Sequence, residues 1–197
     1  ASLSDVVITM KEGVLASTSA SVIAAKSGVA AESVGGAEAL AKNGTATLTV
    51  GSPEELKSRL SAIIGMITET YHECEEQSLN QPSVSAEAGY KCAAVTEEIL
   101  DAGTFVEFCE KFGSELKVGL CRIGGMTAGV AISDDKPEGV ELTAAGAKKL
   151  SRFIRFLDCY GLPFISFVNV AGVEACSQAE SMGLVKDIAG LMSAVAD

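Results

Sequence analysis

"KVGLCRIGGMTAGVAIS", residues 117–133, places apolar residues on both sides of a Gly124-Gly125 pair. It reads as two strands joined by a tight turn. The segment after it, "TAAGAKKLSRFIRFLDCY" (143–160), carries Ala147, Leu150, Ile154 and Leu157 on one helical face and stops at Gly161-Leu162-Pro163. "FISFVNV" (164–170) then reads as a strand apolar on both faces, expected to be buried. Ser177 with Glu180 has the spacing of a capping box ahead of "SMGLVKDIAGLMSAVA". The order strand, strand, helix, strand, helix is the rhythm of a repeated ββα superhelix, and the fold class is α/β.

Upstream of the hairpin, "TEEILDAGTFVEFCEKFG" (96–113) is helical in character. In the first half "DVVITM" (5–10) is a short strand, and "STSASVIAAKSG" and "AESVGGAEALAKNG" are short helices ending at Gly28 and Gly44. "TATLTV" (45–50) is an alternating strand. A helix follows, with Ser52 as cap, Pro53 at its first position and Glu55 completing a capping box. Its apolar stripe is Leu56, Leu60, Ile63, Ile64 and Ile67. From Thr68 to about Ala94 the chain is polar, contains Pro82 and shows no stripe. The expected division is 1–70, a linker at 71–94, and 95–197.

With 197 residues, 48% hydrophobic and 21% charged, the chain has material for one ample core or two small ones. It holds no apolar run long enough for a membrane span and no signal-peptide pattern, so a cytoplasmic location is expected. The six cysteines, Cys74, Cys92, Cys109, Cys121, Cys159 and Cys176, form no CxxC. Reduced thiols are expected, and neither a disulfide framework nor a metal site. A net charge of −11 argues against nucleic acid, which needs clustered Lys and Arg, and against the chain alone being a main receptor for a polyanion.

The junction "FVNVAGVEACSQAE" (167–180) is where chemistry is expected. A strand ending at Gly172, a short loop and a capped helix leave backbone N–H groups unpaired beside the positive end of a helix dipole, and such donors stabilise an oxyanion. The competing reading is an ordinary strand-to-helix turn in which Gly172 serves only the bend. Cys176, next to a helix start, has either a lowered thiol pKa or a small packing role. Gly124-Gly125 is open to close ligand approach, although a hairpin turn accounts for it. Lys148, Arg152 and Arg155 share a helix face, expected to be solvated and paired with acidic neighbours rather than to hold a phosphate. His72 falls in the polar stretch without a partnering Ser or Asp motif.

"VGLCRIGGMTAGVAIS", "ELTAAGAKKLSRFIRFLDCYGLPFISFVNVAGV" and "QAESMGLVKDIAGLMSAVA" resemble the C-terminal half of biotin-dependent acyl-CoA carboxyltransferases. These include acetyl-CoA and propionyl-CoA carboxylase transferase subunits and the glutaconyl-CoA decarboxylase alpha subunit. "DVVITMKEG", "ESVGGAEALAKNGTATLTV" and "SPEELKSRLSAII" are similar, in the same order, to the end of that family's N-terminal domain. The resemblance implies a crotonase-like ββα superhelix and parts of two tandem carboxyltransferase domains. These are the end of the N-terminal domain at 1–70 and the first part of the C-terminal domain at 95–197.

The resemblance further implies transfer of a carboxyl group between N1 of biotin and the α-carbon of an acyl-CoA. Oxyanion holes built from backbone N–H groups carry that reaction. Biotin is expected on a partner protein or domain, with biotin carboxyl carrier and biotin carboxylase subunits as partners and a homo-oligomeric assembly. Gly172 and Val173 are the implied catalytic N–H donors, and Cys176, Ser177 and Gly125 are implied to contact biotin. The family's two Gly-Gly-Ala elements are expected before Asp5 and after Asp197. Gly35-Gly36-Ala37 instead matches a structural helix segment. Where the family has Pro-Gly-Phe and then Pro-Gly, this chain has Ala171-Gly172-Val173 and then Ala175-Cys176. The chain reads as a central fragment of a larger transferase, inactive when isolated. The alternatives are a decarboxylase alpha subunit and a non-catalytic homologue.

Overall fold

The computed structural model describes residues 3–71 and 99–197. His72, Cys74, Cys92 and all of the expected linker except Tyr71 lie outside them. The hairpin forms as expected: β4 (Leu116–Ile123) pairs antiparallel with β5 (Met126–Ser133) in register Ile123↔Met126. Gly124 and Gly125 turn the chain at φ 58° and 80°, a conformation side chains with a Cβ resist. With β3 (Val106–Phe108) and β7 (Phe164–Phe167) they make one sheet of order β3-β4-β5-β7, β7 running parallel to β5. Two smaller parallel pairs complete the strands of the described residues: β1 (Ile8–Met10) with β2 (Leu48–Val50), and β6 (Val140–Leu142) with β8 (Val170–Val173).

The first half supplies α1 (Ala20–Ser27), α2 (Ala31–Gly35), α3 (Ala37–Lys42) and α4 (Pro53–Thr68). Ser52 caps α4 by accepting the Glu55 N–H at 3.2 Å, while the Glu55 carboxylate takes the Gly51 N–H at 2.8 Å. In the second half α5 (Ala144–Tyr160) is capped by Thr143, which accepts the Gly146 N–H at 3.0 Å, and closed by the left-handed Gly161. The last helices are α6 (Ser177–Ser181) and α7 (Leu184–Ala196).

One core joins the two halves. Ile63 and Met66 of α4 pack with Val106, Phe108, Val118, Leu120 and Ala131 of the sheet and with Phe153, Phe156 and Leu157 of α5. Phe108 meets Phe153 and Phe156 edge-on, with centroids 5.7 Å apart in both pairs. Successive β5 residues alternate faces, so Ala131 enters this core while Ala128, Val130 and Ile132 join Cys121 and Leu100 in a second cluster. Gly119 is needed where β4 passes β3. A Cβ there would lie 2.3 Å from the Val106 carbonyl oxygen, a backbone atom that cannot turn aside. Gly119→Ala is expected to lower stability by about 3 kcal/mol, read as a reduced urea midpoint at constant slope. An unchanged midpoint would show that β3 yields instead.

Four expectations are corrected. Val106–Phe108 is a strand rather than part of a helix, because Val106 and Phe108 point into the core on alternate positions and pair with Leu120 and Val118. On α4 the buried arc is Ile63 and Met66, whereas Leu60 and Ile64 of the expected stripe are exposed. "FISFVNV" is not buried: β7 takes an end position in its sheet and is half-exposed along its length, and Val168 and Val170 are exposed. Cys176, not Ser177, is the N-cap of α6, without a side-chain capping bond, and Gly183 at φ 94° separates α6 from α7.

Candidate functional site

The junction of interest is held by ties between distant parts of the chain. At the end of β5 the buried Ser133 Oγ accepts the Asn169 N–H at 2.8 Å, fixing the link between β7 and β8. The Asn169 side-chain amide donates to the Lys136 carbonyl at 3.1 Å, and the Asn169 carbonyl accepts the Val140 N–H at 2.9 Å. Gly139, at φ 85°, lets this loop close onto β8, since a Cβ there would lie 2.7 Å from the Ala171 nitrogen.

β8 then runs in register with β6, Gly172 opposite Glu141 and Val173 opposite Leu142, after a shift that bulges out Ala171. The Glu174 N–H donates to the Leu142 carbonyl at 3.0 Å, so the ladder extends one residue past Val173. This corrects the expected boundary. Gly172 and Val173 belong to a strand, and the connection to α6 begins after them. Gly172 has no positive φ, and a Cβ built on it meets no atom of the described residues within 4 Å outside its chain neighbours. A strained turn is therefore not the reason for glycine. Gly172 and Val173 are both exposed, flanked by exposed Val168 and Val170. Cys176 is half-buried and Ser177, exposed, opens a helix of only five residues.

Gly125 lies elsewhere. Its N–H donates to Asp101 Oδ2 at 2.8 Å and that of Gly124 to Asp101 Oδ1 at 2.9 Å, so one carboxylate closes the hairpin tip with two charge-assisted bonds. Arg122 completes the clamp, its guanidinium donating to the Gly125 carbonyl at 3.0 Å and to the Glu69 carbonyl at 2.9 Å. Gly35-Gly36-Ala37 is packed as structure: a Cβ on Gly35 would fall 2.4 Å from the Leu15 carbonyl, and Ala37 is buried.

The described cysteines are free thiols, and burial disarms two of them. Cys121 is pushed up to about 12, by burial first and by Asp101 second, and burial also raises Cys109. Among the described residues no group of three His, Cys, Asp or Glu side chains is placed to hold a metal ion, and no helix is long and apolar enough to cross a membrane. Two cations on α5 have defined partners: Lys148 pairs with Asp187 at 3.1 Å, and Arg152 donates to the carbonyls of Ser4, Asp5 and Gly44.

The whole chain, residues 1–197, matches the carboxyl transferase domain family. The chain belongs to that family. Over 108 residues, 55% of the chain, it is 30% identical to a propionyl-CoA carboxylase carboxyltransferase subunit of Haloferax mediterranei. Over 111 residues it is 33% identical to the biotin-dependent acetyl-/propionyl-coenzyme A carboxylase beta6 subunit of Mycobacterium bovis. The mitochondrial propionyl-CoA carboxylase beta chain of Homo sapiens is 28% identical over 108 residues. These alignments span only about a fifth of each relative, 21%, 24% and 20% respectively.

The fold superimposes on transcarboxylase 12S, solved with hydrolysed methylmalonyl-coenzyme A bound, at TM-score 0.82 and 21% identity. That likeness covers 98% of this chain and 40% of the other. A single-chain, multi-domain long-chain acyl-CoA carboxylase matches at TM-score 0.78 and 18% identity, over 98% of this chain and 20% of that one. The crotonase-like α/β architecture expected from the resemblance is the one present.

Proposed function

We propose that the chain is part of a biotin-dependent carboxyltransferase that moves a carboxyl group between biotin and an acyl-CoA of the acetyl or propionyl class. The observation that carries this reading is the family match over all 197 residues. Within it, residues 1–70 close the N-terminal carboxyltransferase domain and 95–197 open the C-terminal one. Biotin, carried by a partner domain, supplies a ureido nitrogen that holds the carboxyl group. The partners are biotin carboxyl carrier and biotin carboxylase subunits in a cytoplasmic homo-oligomer.

The chain's own part is to present backbone donors. Gly172 and Val173 are exposed, with open space where a Gly172 side chain would stand, and are bordered by valine side chains suited to the apolar part of a ring. The Glu174 N–H points at β6, and by strand alternation so does that of Gly172, so charge that develops on an oxygen there is stabilised by the Val173 N–H on the open side of β8, its position fixed before reaction through the Ser133–Asn169 tie and the β6–β8 ladder. Cys176 and Ser177 border the same segment. These residues fit one open wall of a biotin site rather than an enclosing pocket. Gly125 does not fit, because its N–H is already held by Asp101.

The test is carboxyl transfer by the protein translated from the complete reading frame, given carboxybiotin with acetyl-CoA or propionyl-CoA. Formation of malonyl-CoA or methylmalonyl-CoA is expected, and none is expected from the 197-residue chain alone. A folded full-length protein that yields neither product with either substrate refutes the reading.

A further inference from the structure

A cavity of about 470 Å³ opens where α5 and α7 pack together beside residues 3–5. Four cations line it, Lys148, Arg152, Arg155 and Lys186, against two carboxylates, Asp5 and Asp187. Over the whole chain the balance is the reverse, 15 Lys and Arg to 26 Asp and Glu, so the net charge of −11 conceals a local positive site.

The donors divide by what they already hold. Arg152 is engaged by three backbone carbonyls, Gly44 at 3.2 Å, Ser4 at 3.3 Å and Asp5 at 3.1 Å, and forms part of the wall. Lys148 neutralises Asp187 at 3.1 Å. Arg155 makes one long contact among the described residues, Nη2 to the Gly190 carbonyl at 3.5 Å. The Lys186 ammonium has no hydrogen-bond or ion-pair partner among them. Two cations are thus left for a ligand, and Leu3, Phe156 and Cys159 add less polar atoms to the same lining.

We infer that this cavity binds a phosphorylated small molecule, Arg155 and Lys186 holding the phosphate oxygens and the Leu3–Phe156–Cys159 surface seating its organic part. A guanidinium fork beside an ammonium matches the charge and the several acceptor oxygens of a phosphate better than those of a single carboxylate. The site shares no lining residue with the 172–177 segment and does not depend on the carboxyl-transfer reading.

Calorimetric titration of the full-length protein with inorganic pyrophosphate and with ADP tests the inference. Saturable binding is expected, tighter for ADP and weakening as sodium chloride is raised. Arg155→Gln and Lys186→Gln are each expected to weaken it about ten-fold. Both side chains are exposed, so the variants keep the melting temperature of the unmodified protein. Absence of saturable binding overturns the inference. So does a double variant that binds as the unmodified protein does, since the phosphate is then held elsewhere. ADP binding no tighter than pyrophosphate removes the seat for the organic part.

Discussion

A full-length protein carrying Gly172→Val is expected to lose about 10²- to 10³-fold in kcat for carboxyl transfer, the cost of keeping the reacting oxygen from one preorganised donor. Its melting temperature should hold. Both halves of that statement come from the same local geometry. The backbone at Gly172 has no positive φ and the space around an added Cβ is open, so valine meets neither strain nor overlap. Valine favours strands, and replacing glycine also reduces the freedom of the unfolded chain. The new side chain instead fills the space in front of the Gly172–Val173 backbone, where the proposed reading seats the ring of biotin. Val173→Ala makes the control: it shortens a side chain and leaves both N–H groups where they were, so kcat should change little. Unchanged kcat in Gly172→Val, or activity and melting temperature falling together, would remove Gly172 from the site.

Residues whose fate is decided by neighbours in sequence were legible. Gly124-Gly125 between two apolar runs fixes the hairpin, and Thr143 with Gly161 brackets α5, because a turn and a cap need only adjacent residues. The family resemblance supplied the crotonase-like architecture. Residues whose fate is decided by distant partners were not legible. "VEF" looks helical amid its acidic neighbours and becomes β3 only because β4 offers it Val118 to Leu120. Leu60 and Ile64 fit an apolar stripe, yet the arc of α4 that is buried depends on where the sheet lies.

The candidate site divides in the same way. Gly172 was visible as a glycine after an apolar run. Its place inside a strand came from β6, thirty residues back, and the tie that sets its position joins Ser133 to Asn169 across 36 residues. Asp101 likewise reaches Gly124 across 23 residues, with no local pattern to announce that it occupies the Gly125 N–H. Lys148, Arg152 and Arg155 were legible on one helix face, whereas Lys186 joins them only because α7 packs on α5.

Lys149→Ala is expected to lower stability by about 3 kcal/mol, among the larger effects of any single side chain here. Lys149 is 4% exposed, and its ammonium donates to the Leu116 carbonyl at 2.7 Å and reaches the Gly113 carbonyl at 3.5 Å, tying α5 to the start of β4. Truncation deletes the packed stem and takes the ammonium donor from the Leu116 carbonyl, while the Gly113 carbonyl keeps the Leu116 N–H at 3.1 Å. Lys149→Met restores the stem but not the bond and should recover roughly half of the loss. Burial is also the main influence on the titration of Lys149 and lowers its pKa, against the pull of Glu107, Cys109, Glu115 and Glu110. For a base whose folded pKa is depressed, the unfolded chain binds more protons between the lowered value and 10.5, so stability rises with pH across that window. Cys109 and Cys121, raised by burial, act oppositely above 9.0, where the unfolded thiols ionise first. Comparing the protein with and without Lys149→Met cancels Cys121, and because burial raises the Cys109 pKa while Lys149 opposes that rise, both proteins carry Cys109→Ala in this comparison. The difference in urea midpoint, followed from pH 7 upward, should widen as pH approaches 10.5. A difference that stays flat over that range would mean that burial does not disfavour the ammonium and that the lysine stays charged at no cost.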